Sequence, residues 1–202
     1  TNAMNLCTEE IAWATTAPED LWIFDKLILA RRLGYTCGPV GTRVSQSDYY
    51  IVRPCVNAIG LGLGAQKQYI KEFTDHLTPG HFWCEIFEGD HISVDYLNGE
   101  QVLAVQGHKN PATYTQWDRW VKVDVQIPLP SCLDNIKNKY SKINAEYIGG
   151  NLIEIHLRHN PDFPEGRHEY IPVWQGQDQT PPDGYKYVVD PDVHGRTGAF
   201  VK

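Results

Sequence analysis

The sequence has neither a long apolar segment nor a surplus of basic charge. No run approaches the about 18 apolar residues that a membrane-spanning helix needs, so we expect no membrane association. Lysine and arginine together number 18, against 25 aspartates and glutamates, which gives a formal net charge of −7. Because a nucleic-acid binder needs a basic stripe to meet phosphates, this balance argues against a nucleic-acid partner.

Methionine is scarce, and the cysteines lack the spacing of a disulfide or zinc motif. None of the five cysteines forms a C-x-x-C pair; they are Cys7, Cys37, Cys55, Cys84 and Cys132. An odd, scattered set indicates neither a disulfide framework nor a structural zinc site, so we interpret them as reduced thiols and expect a cytoplasmic location. The sole methionine is Met4, and we interpret residues 1–3 as an expression-tag remnant.

Local patterns in the 202-residue chain predict an α+β fold with few helices. A helix is predicted from Leu21 to Leu33, and a turn-rich connector follows it. The aromatic and β-branched run 48–54 predicts a strand that ends at proline. Segments 81–88 and 91–97 predict a hairpin, from which Asn98-Gly99 turns into a further strand.

The second half of the chain combines one short helix with extended segments. The helix is predicted over 131–142, with Ser131 as its N-cap. From Asn160 onwards the chain is rich in proline and glycine, and its clearest strand pattern is 185–189. We expect this tail to wrap over the surface of the protein.

The stretch from Ile143 to Arg158 predicts a second hairpin, because apolar and polar residues alternate along both of its arms. Burying the two apolar sets together pairs Ala145 with Ile153. This register requires a three-residue loop, 148–150, whose two glycines can adopt positive φ. A two-residue loop would turn Glu146 to the wrong face.

The predicted register brings Glu146 to the same face as Glu154 and His156. Two carboxylates and an imidazole suit a divalent cation: oxygen ligands favour Mg²⁺ or Mn²⁺, and the histidine favours Mn²⁺. The alternative is a solvated polar face on an antiparallel sheet.

The order of these segments resembles the ATP-grasp superfamily, which includes carboxylate-amine ligases, biotin carboxylase and D-alanine ligase. The resemblance spans roughly residues 19–158 and rests on Asp25-Lys26, Arg53-Pro54, a glycine-rich loop and the E-x-H-x-R strand ending at Arg158. It implies two lobes with antiparallel sheets. The smaller lobe would be 4–88, and the larger lobe, 89–202, would carry the metal-binding hairpin and the proline-rich tail.

The resemblance implies a nucleotide site in which Lys26 and Arg53 contact the phosphates of ATP. Arg53 stands where the family has lysine. The glycine-rich loop would close over the phosphates, because glycine lets the backbone approach an anion; its glycines are Gly60, Gly62 and Gly64. Glu85 would contact adenine, and His91 would contact ribose in place of the family's glutamate.

The E-x-H-x-R strand would supply the metal and substrate contacts. In the family its first residue and the asparagine that follows hold the metal, which matches Glu154 and His156, with Glu146 as the acidic ligand of the preceding strand. Arg158 would stabilise an acyl-phosphate or the substrate. The implied cofactors are ATP and Mg²⁺ or Mn²⁺.

The resemblance implies a ligase that activates a small carboxylate as an acyl-phosphate, which an amine or thiol then attacks. Family enzymes usually carry an N-terminal substrate domain, so we expect a protein partner or a homo-oligomer to supply one here. Two alternatives stay open. The first is a degenerate, noncatalytic or partner-dependent binding module, and the second is a metal-dependent hydrolase or oxygenase using Glu154, His156 and His159.

Overall fold

The computed structural model describes residues 8–56, 64–109, 117–190 and 195–202. These residues form a four-stranded and an eight-stranded sheet, both antiparallel, with short helices beside them. The α+β class with two antiparallel sheets and few helices is therefore confirmed. None of the helices in these ranges is long and apolar enough to cross a membrane.

Three short α-helices accompany the sheets. They are α1 (Thr8–Thr15), α2 (Lys26–Arg32) and α3 (Asp134–Lys139). A 3-10 helix, Pro18–Phe24, precedes α2, so the continuous helix predicted from Leu21 to Leu33 is wrong. The break is at Asp25, whose extended backbone lets its carboxylate accept hydrogen bonds from the first-turn amides of α2.

The smaller sheet lies in the first half of the chain. Its strands are β1 (Cys37–Pro39), β2 (Asp48–Pro54), β3 (Gln66–Ile70) and β4 (His81–Cys84), in the order β1-β4-β2-β3. The predicted strand over 48–54 is confirmed. The connector predicted after the first helix contains β1, which was not foreseen, because a Cys-Gly-Pro segment carries no strand pattern.

The larger sheet contains the other eight strands in the order β11-β12-β10-β7-β6-β5-β8-β9. The strands are β5 (His91–Leu97), β6 (Glu100–Lys109), β7 (Trp117–Lys122), β8 (Lys142–Ile148), β9 (Asn151–His156), β10 (Glu169–Trp174), β11 (Lys186–Val189) and β12 (Arg196–Val201). The Asn98-Gly99 turn between β5 and β6 is confirmed, and both residues have positive φ.

Two longer-range expectations are wrong. Strands β4 and β5 do not form a hairpin: β4 pairs with β1 and β2, whereas β5 pairs with β6 and β8 in the other sheet. The C-terminal region does not wrap over the surface either. It contributes β10, β11 and β12 to the larger sheet and buries Tyr170, Val173 and Ala199.

The second helix prediction needs a smaller correction. The segment 131–142 forms a 3-10 turn, Ser131–Leu133, followed by α3. Ser131 is not an N-cap, because Pro130 occupies the cap position and no side chain caps the turn. Leu133 and Ile136 are buried and anchor this segment against the larger sheet.

The β8–β9 hairpin differs from the prediction in its loop. Ile148 pairs with Asn151, so the loop consists of the two residues Gly149 and Gly150. A bulge then shifts the register, and Ala145 lies opposite Ile155 instead of Ile153. The predicted three-residue loop is therefore wrong. The extra residue lies in a bulge within β9 instead of in the loop, and beyond the bulge the side chains of β8 and β9 share the faces that a three-residue loop would give them.

The main core lies between one face of the larger sheet and the helices. Val94, Tyr96, Ala145 and Ile155 are buried in it. Helix α2 lies between the sheets and packs against both β1 and β9. Its Leu29 joins the main core, whereas the next residue, Ala30, packs with Phe82 of the smaller sheet. This arrangement brings side chains of the smaller sheet and of α2 to the β8–β9 hairpin.

Candidate functional site

The carboxylates of Glu146 and Glu154 meet at the edge of the larger sheet. Glu146 lies directly opposite Glu154 in the β8–β9 ladder, and His156 follows on the same face. One ligand atom from each of the three residues lies within 4.8 Å of the other two. Like charges directly opposite each other on a sheet repel, so this pair needs positive charge close by.

Part of that charge comes from neighbouring side chains. Nε2 of His91 on β5 is 2.8 Å from Oε2 of Glu146 and donates to it. Burial raises the pKa of Glu146, but the His91 hydrogen bond and the charges of His156 and Arg158 outweigh it and lower that pKa to about 2. Glu146 is therefore ionised at neutral pH.

Lys26 reaches the site from the first residue of α2. Asp25 fixes the start of this helix, and the Lys26 side chain is buried with Nζ 3.5 Å from Oε1 of Glu154. It is therefore not a solvated surface charge. A lysine with only 7% of its surface exposed is uncommon unless an anion holds it there.

Arg53, the next-to-last residue of β2, reaches the β8–β9 hairpin. Its Nη2 donates to the carbonyl oxygen of Ile153 at 2.9 Å, and Ile153 is the residue that the bulge leaves unpaired. Burial lowers the pKa of Arg53, and the carboxylates of Glu154 and Glu146 counteract this. Its Nε is buried and has no hydrogen-bond partner among the described residues.

The other residues predicted to bind the nucleotide are Glu85 and the three glycines of the glycine-rich loop. Oε1 of Glu85, in the segment that joins the two sheets, accepts a hydrogen bond from the Thr36 amide at 2.8 Å. Gly64 has positive φ and lies beside Pro54 and His81. Gly60 and Gly62 lie outside the described residues. The structure thus brings Lys26, Arg53 and His91 to the hairpin, with Glu85 in the segment between the two sheets.

Arg158 lies just beyond β9 and has a partner that the sequence did not indicate. Its Nε donates to Glu9 of α1, which also accepts from Nδ1 of His156 at 3.0 and 3.1 Å. Burial raises the pKa of Glu9, but the His156 hydrogen bond and the charges of His156 and Arg158 lower it to about 2. No local motif marks Glu9, which is 147 residues from His156 in sequence.

A second group missed by the sequence analysis is on the other side of His91. The His91 ring meets Trp117 edge-on with 4.5 Å between centroids, and Nζ of Lys109 lies 4.0 Å from the centroid of Trp117. Burial lowers the pKa of Lys109, and Glu146 counteracts this. Gly107 leaves the space for these rings, since a Cβ there would lie 2.5 Å from Trp117.

The alternative metal site of Glu154, His156 and His159 does not form. Nε2 of His159 is 2.9 Å from the carbonyl oxygen of Tyr96, to which it donates. Among the described residues, the ligand cluster contains His156 and the two glutamates but not His159.

The residues present fit both groups that the resemblance implies. Two carboxylates and an imidazole with converging ligand atoms have the chemistry of a divalent-metal site. The unsatisfied Nε of buried Arg53 and the buried ammonium of Lys26 provide donors for an anion such as a phosphate.

Comparisons with known proteins bear on the fold. No protein-family model matches the sequence, and no curated protein matches it. Among solved structures, one similar chain is described as an ATP-grasp superfamily protein from Archaeoglobus fulgidus, with 16% identity and a TM-score of 0.52. That alignment covers 90% of this chain and 64% of the other, so this chain spans less than two thirds of that protein.

A second similar structure is N5-carboxyaminoimidazole synthetase from Staphylococcus aureus complexed with ADP. Its identity is 11% and its TM-score is 0.53, over 90% of this chain and 67% of that one. At such identities the similarity establishes the architecture alone. The chain has an ATP-grasp-like fold.

Proposed function

We propose that the protein binds ATP with a divalent cation between its two sheets and uses it to activate a small carboxylate. The observation that carries this proposal is the convergence of Glu146, Glu154 and His156 opposite Lys26 and Arg53. Acidic ligands on one side and cations from the other lobe are what a metal-bound polyphosphate requires.

Each side chain has a distinct task in this proposal. Glu146, Glu154 and His156 would hold Mg²⁺ or Mn²⁺, and the bound ion would supply positive charge to the phosphates. Lys26 and Arg53 bind phosphate oxygens, and Arg53 is well suited because its buried guanidinium still has an unsatisfied donor. The backbone of the joining segment around Glu85 would receive the adenine.

Arg158 lies just beyond β9, two residues after the metal-ligand candidate His156. In the proposed reaction a substrate carboxylate attacks the terminal phosphorus of ATP, the bond to the bridging oxygen breaks and ADP leaves. Arg158 would stabilise the negative charge of the acyl-phosphate that results. An amine or thiol then displaces phosphate. Such catalysis works by positioning and charge stabilisation, so it needs no covalent nucleophile from the protein.

One observation favours a second candidate, a noncatalytic ATP-grasp-like binding module. Glu9 already forms an ion pair with Arg158, the residue that would meet the substrate. An Arg158 side chain held by Glu9 is not available to an acyl-phosphate. ATP binding would then serve regulation or assembly with a partner chain that completes the substrate site.

Thermal denaturation with ATP or ADP, with and without Mg²⁺ or Mn²⁺, tests the shared part of both candidates. A ligand at ~100 times its Kd stabilises by about 2.7 kcal/mol, which for a chain of this size raises Tm by roughly 5–10 °C. We expect this rise only with nucleotide and metal together. No shift with either metal would refute both candidates.

Variants and product assays separate the residues and the two candidates. Glu154→Gln should abolish the metal-dependent shift, measured against the variant's own unliganded Tm. Glu72→Gln, at an exposed ion pair in the smaller lobe, should retain it. Phosphate release on adding mixtures of amino acids and small carboxylic acids indicates an enzyme, whereas ATP binding without release indicates a module.

A further inference from the structure

Glu9 is the residue that ties the N-terminal helix to the candidate site. Its two carboxylate oxygens lie 3.0 and 3.1 Å from Nδ1 of His156, and Oε2 also accepts from Arg158. Elsewhere α1 is thinly packed: Ala12 is buried, but Ile11 and Trp13 are 50% and 58% exposed. The polar contact through Glu9 is therefore a main attachment of this helix.

The contact also determines the chemistry of the His156 ring. A carboxylate ion can only accept hydrogen bonds, so Nδ1 of His156 must carry the proton that it donates to Glu9. The other nitrogen, Nε2, lies 3.4 Å from Oε1 of Glu154 and so points into the ligand cluster. In the neutral ring this Nε2 carries the lone pair that a metal ion uses.

We propose that Glu9 is a positioning residue that holds His156 in the Nδ1-protonated tautomer and so makes its Nε2 a metal ligand. This inference rests on the proposed metal site and extends it to a residue outside the sheet. Carboxylate–histidine–metal arrangements orient the ring and raise its basicity as a ligand.

The positioning role has a consequence for metal choice. Mg²⁺ prefers oxygen ligands, whereas Mn²⁺ and later first-row ions accept imidazole nitrogen more readily. A histidine oriented by Glu9 therefore favours Mn²⁺ over Mg²⁺. If Glu9 merely attaches α1, its loss lowers stability without changing this preference.

The direct test is Mn²⁺ binding without nucleotide, measured by the loss of the free-ion electron paramagnetic resonance signal, with Mg²⁺ as competitor. We expect Glu9→Ala to weaken Mn²⁺ binding about 10- to 100-fold and Mg²⁺ binding much less. Glu9→Gln should have a smaller effect, since its amide oxygen can still accept from Nδ1. Glu10→Gln, at the next and exposed carboxylate, is the matched control and should match the unaltered protein.

A double-mutant cycle distinguishes positioning from attachment of the helix. His156→Asn should reduce the preference for Mn²⁺, and adding Glu9→Ala to it should cause little further loss of Mn²⁺ affinity. An equal loss in both backgrounds would overturn the proposal. Nitrogen-15 shifts of His156, measured at a pH at which its ring is neutral, give a second readout: the proton should be on Nδ1 in the unaltered protein and be shared between Nδ1 and Nε2 in Glu9→Ala.

The outcomes separate this inference from the proposed function. Mn²⁺ binding that depends on Glu9, in a protein that shows no ATP binding, would support the positioning role and refute the ATP site. No Mn²⁺ binding by the unaltered protein would refute the positioning role, whatever ATP does. Tighter ATP binding in Glu9→Ala with unchanged Mn²⁺ affinity would mean that Glu9 competes with phosphate at Arg158, which also overturns the proposal.

Discussion

The glycine loop of the β8–β9 hairpin rests on the segment that joins the two sheets. The Gly149 amide donates to the carbonyl oxygen of Asp90 at 3.0 Å. A Cβ on Gly149 would overlap the carbonyl oxygen of Glu88 and lie 3.2 Å from its carbon, whereas a Cβ on Gly150 would meet nothing within 4 Å. Both glycines have positive φ, of 55° and 81°.

This contrast gives a matched pair of substitutions. In both Gly149→Ala and Gly150→Ala, the left-handed backbone costs about 1 kcal/mol. Only Gly149→Ala adds a steric overlap with backbone atoms that cannot rotate away, and overpacking of this kind costs about 2 kcal/mol more. At roughly 2–4 °C per kcal/mol, we expect Tm to fall by about 6–12 °C in Gly149→Ala and about 2–4 °C in Gly150→Ala.

The assay is thermal denaturation followed by circular dichroism, with both variants in the same buffer and without nucleotide. Equal decreases in Tm would refute the contact between the hairpin loop and the joining segment. Because that contact joins the hairpin of Glu146 and Glu154 to the segment between the two sheets, Gly149→Ala should also weaken ATP binding. Gly150→Ala should leave ATP binding unchanged.

Two further predictions concern the surroundings of the site. Gly107→Ala places a Cβ 2.5 Å from Trp117 and 2.9 Å from Trp120, so we expect a shifted tryptophan fluorescence maximum and a Tm lower by several degrees; an unchanged spectrum would contradict the ring packing. Asp20 accepts hydrogen bonds from Tyr140 at 2.8 Å and Lys139 at 3.1 Å, and these outweigh burial and lower its pKa. A lowered folded-state pKa stabilises the protein above the ordinary value of 3.8 and loses this effect as pH falls through the folded value, so Asp20→Asn should lower Tm at pH 7 but hardly at all in strong acid.

The features of the fold that were predicted correctly are those that depend on residues close together in the sequence. The strands β2 and β5, the β8–β9 hairpin and the Asn98-Gly99 turn are confirmed, because strand propensity and turn chemistry depend on neighbouring residues. Strand partners depend on distant residues. β4 pairs with β1 and β2 instead of with its neighbour β5, and nothing in its own sequence distinguishes these choices.

The candidate site shows the same division. Glu146, Glu154 and His156 share a face as predicted, although the route differs: a two-residue loop and a bulge replace the three-residue loop. The three side chains still face the same side of the sheet, because the bulge in β9 adds the one residue by which the loop is shorter than predicted. Glu9 and Lys109 could not be predicted, since each reaches the site by tertiary packing and lies in no recognisable motif.

The central claim is that ATP and a divalent cation bind together between the two sheets. Isothermal titration of ATP into the protein tests this most directly, once with Mn²⁺ or Mg²⁺ and once with a chelator. We predict saturable binding with metal, little or none with the chelator, and loss of the metal-dependent binding in Glu154→Gln. Absence of binding with either metal, or metal-independent binding that Glu154→Gln leaves unchanged, would contradict the claim.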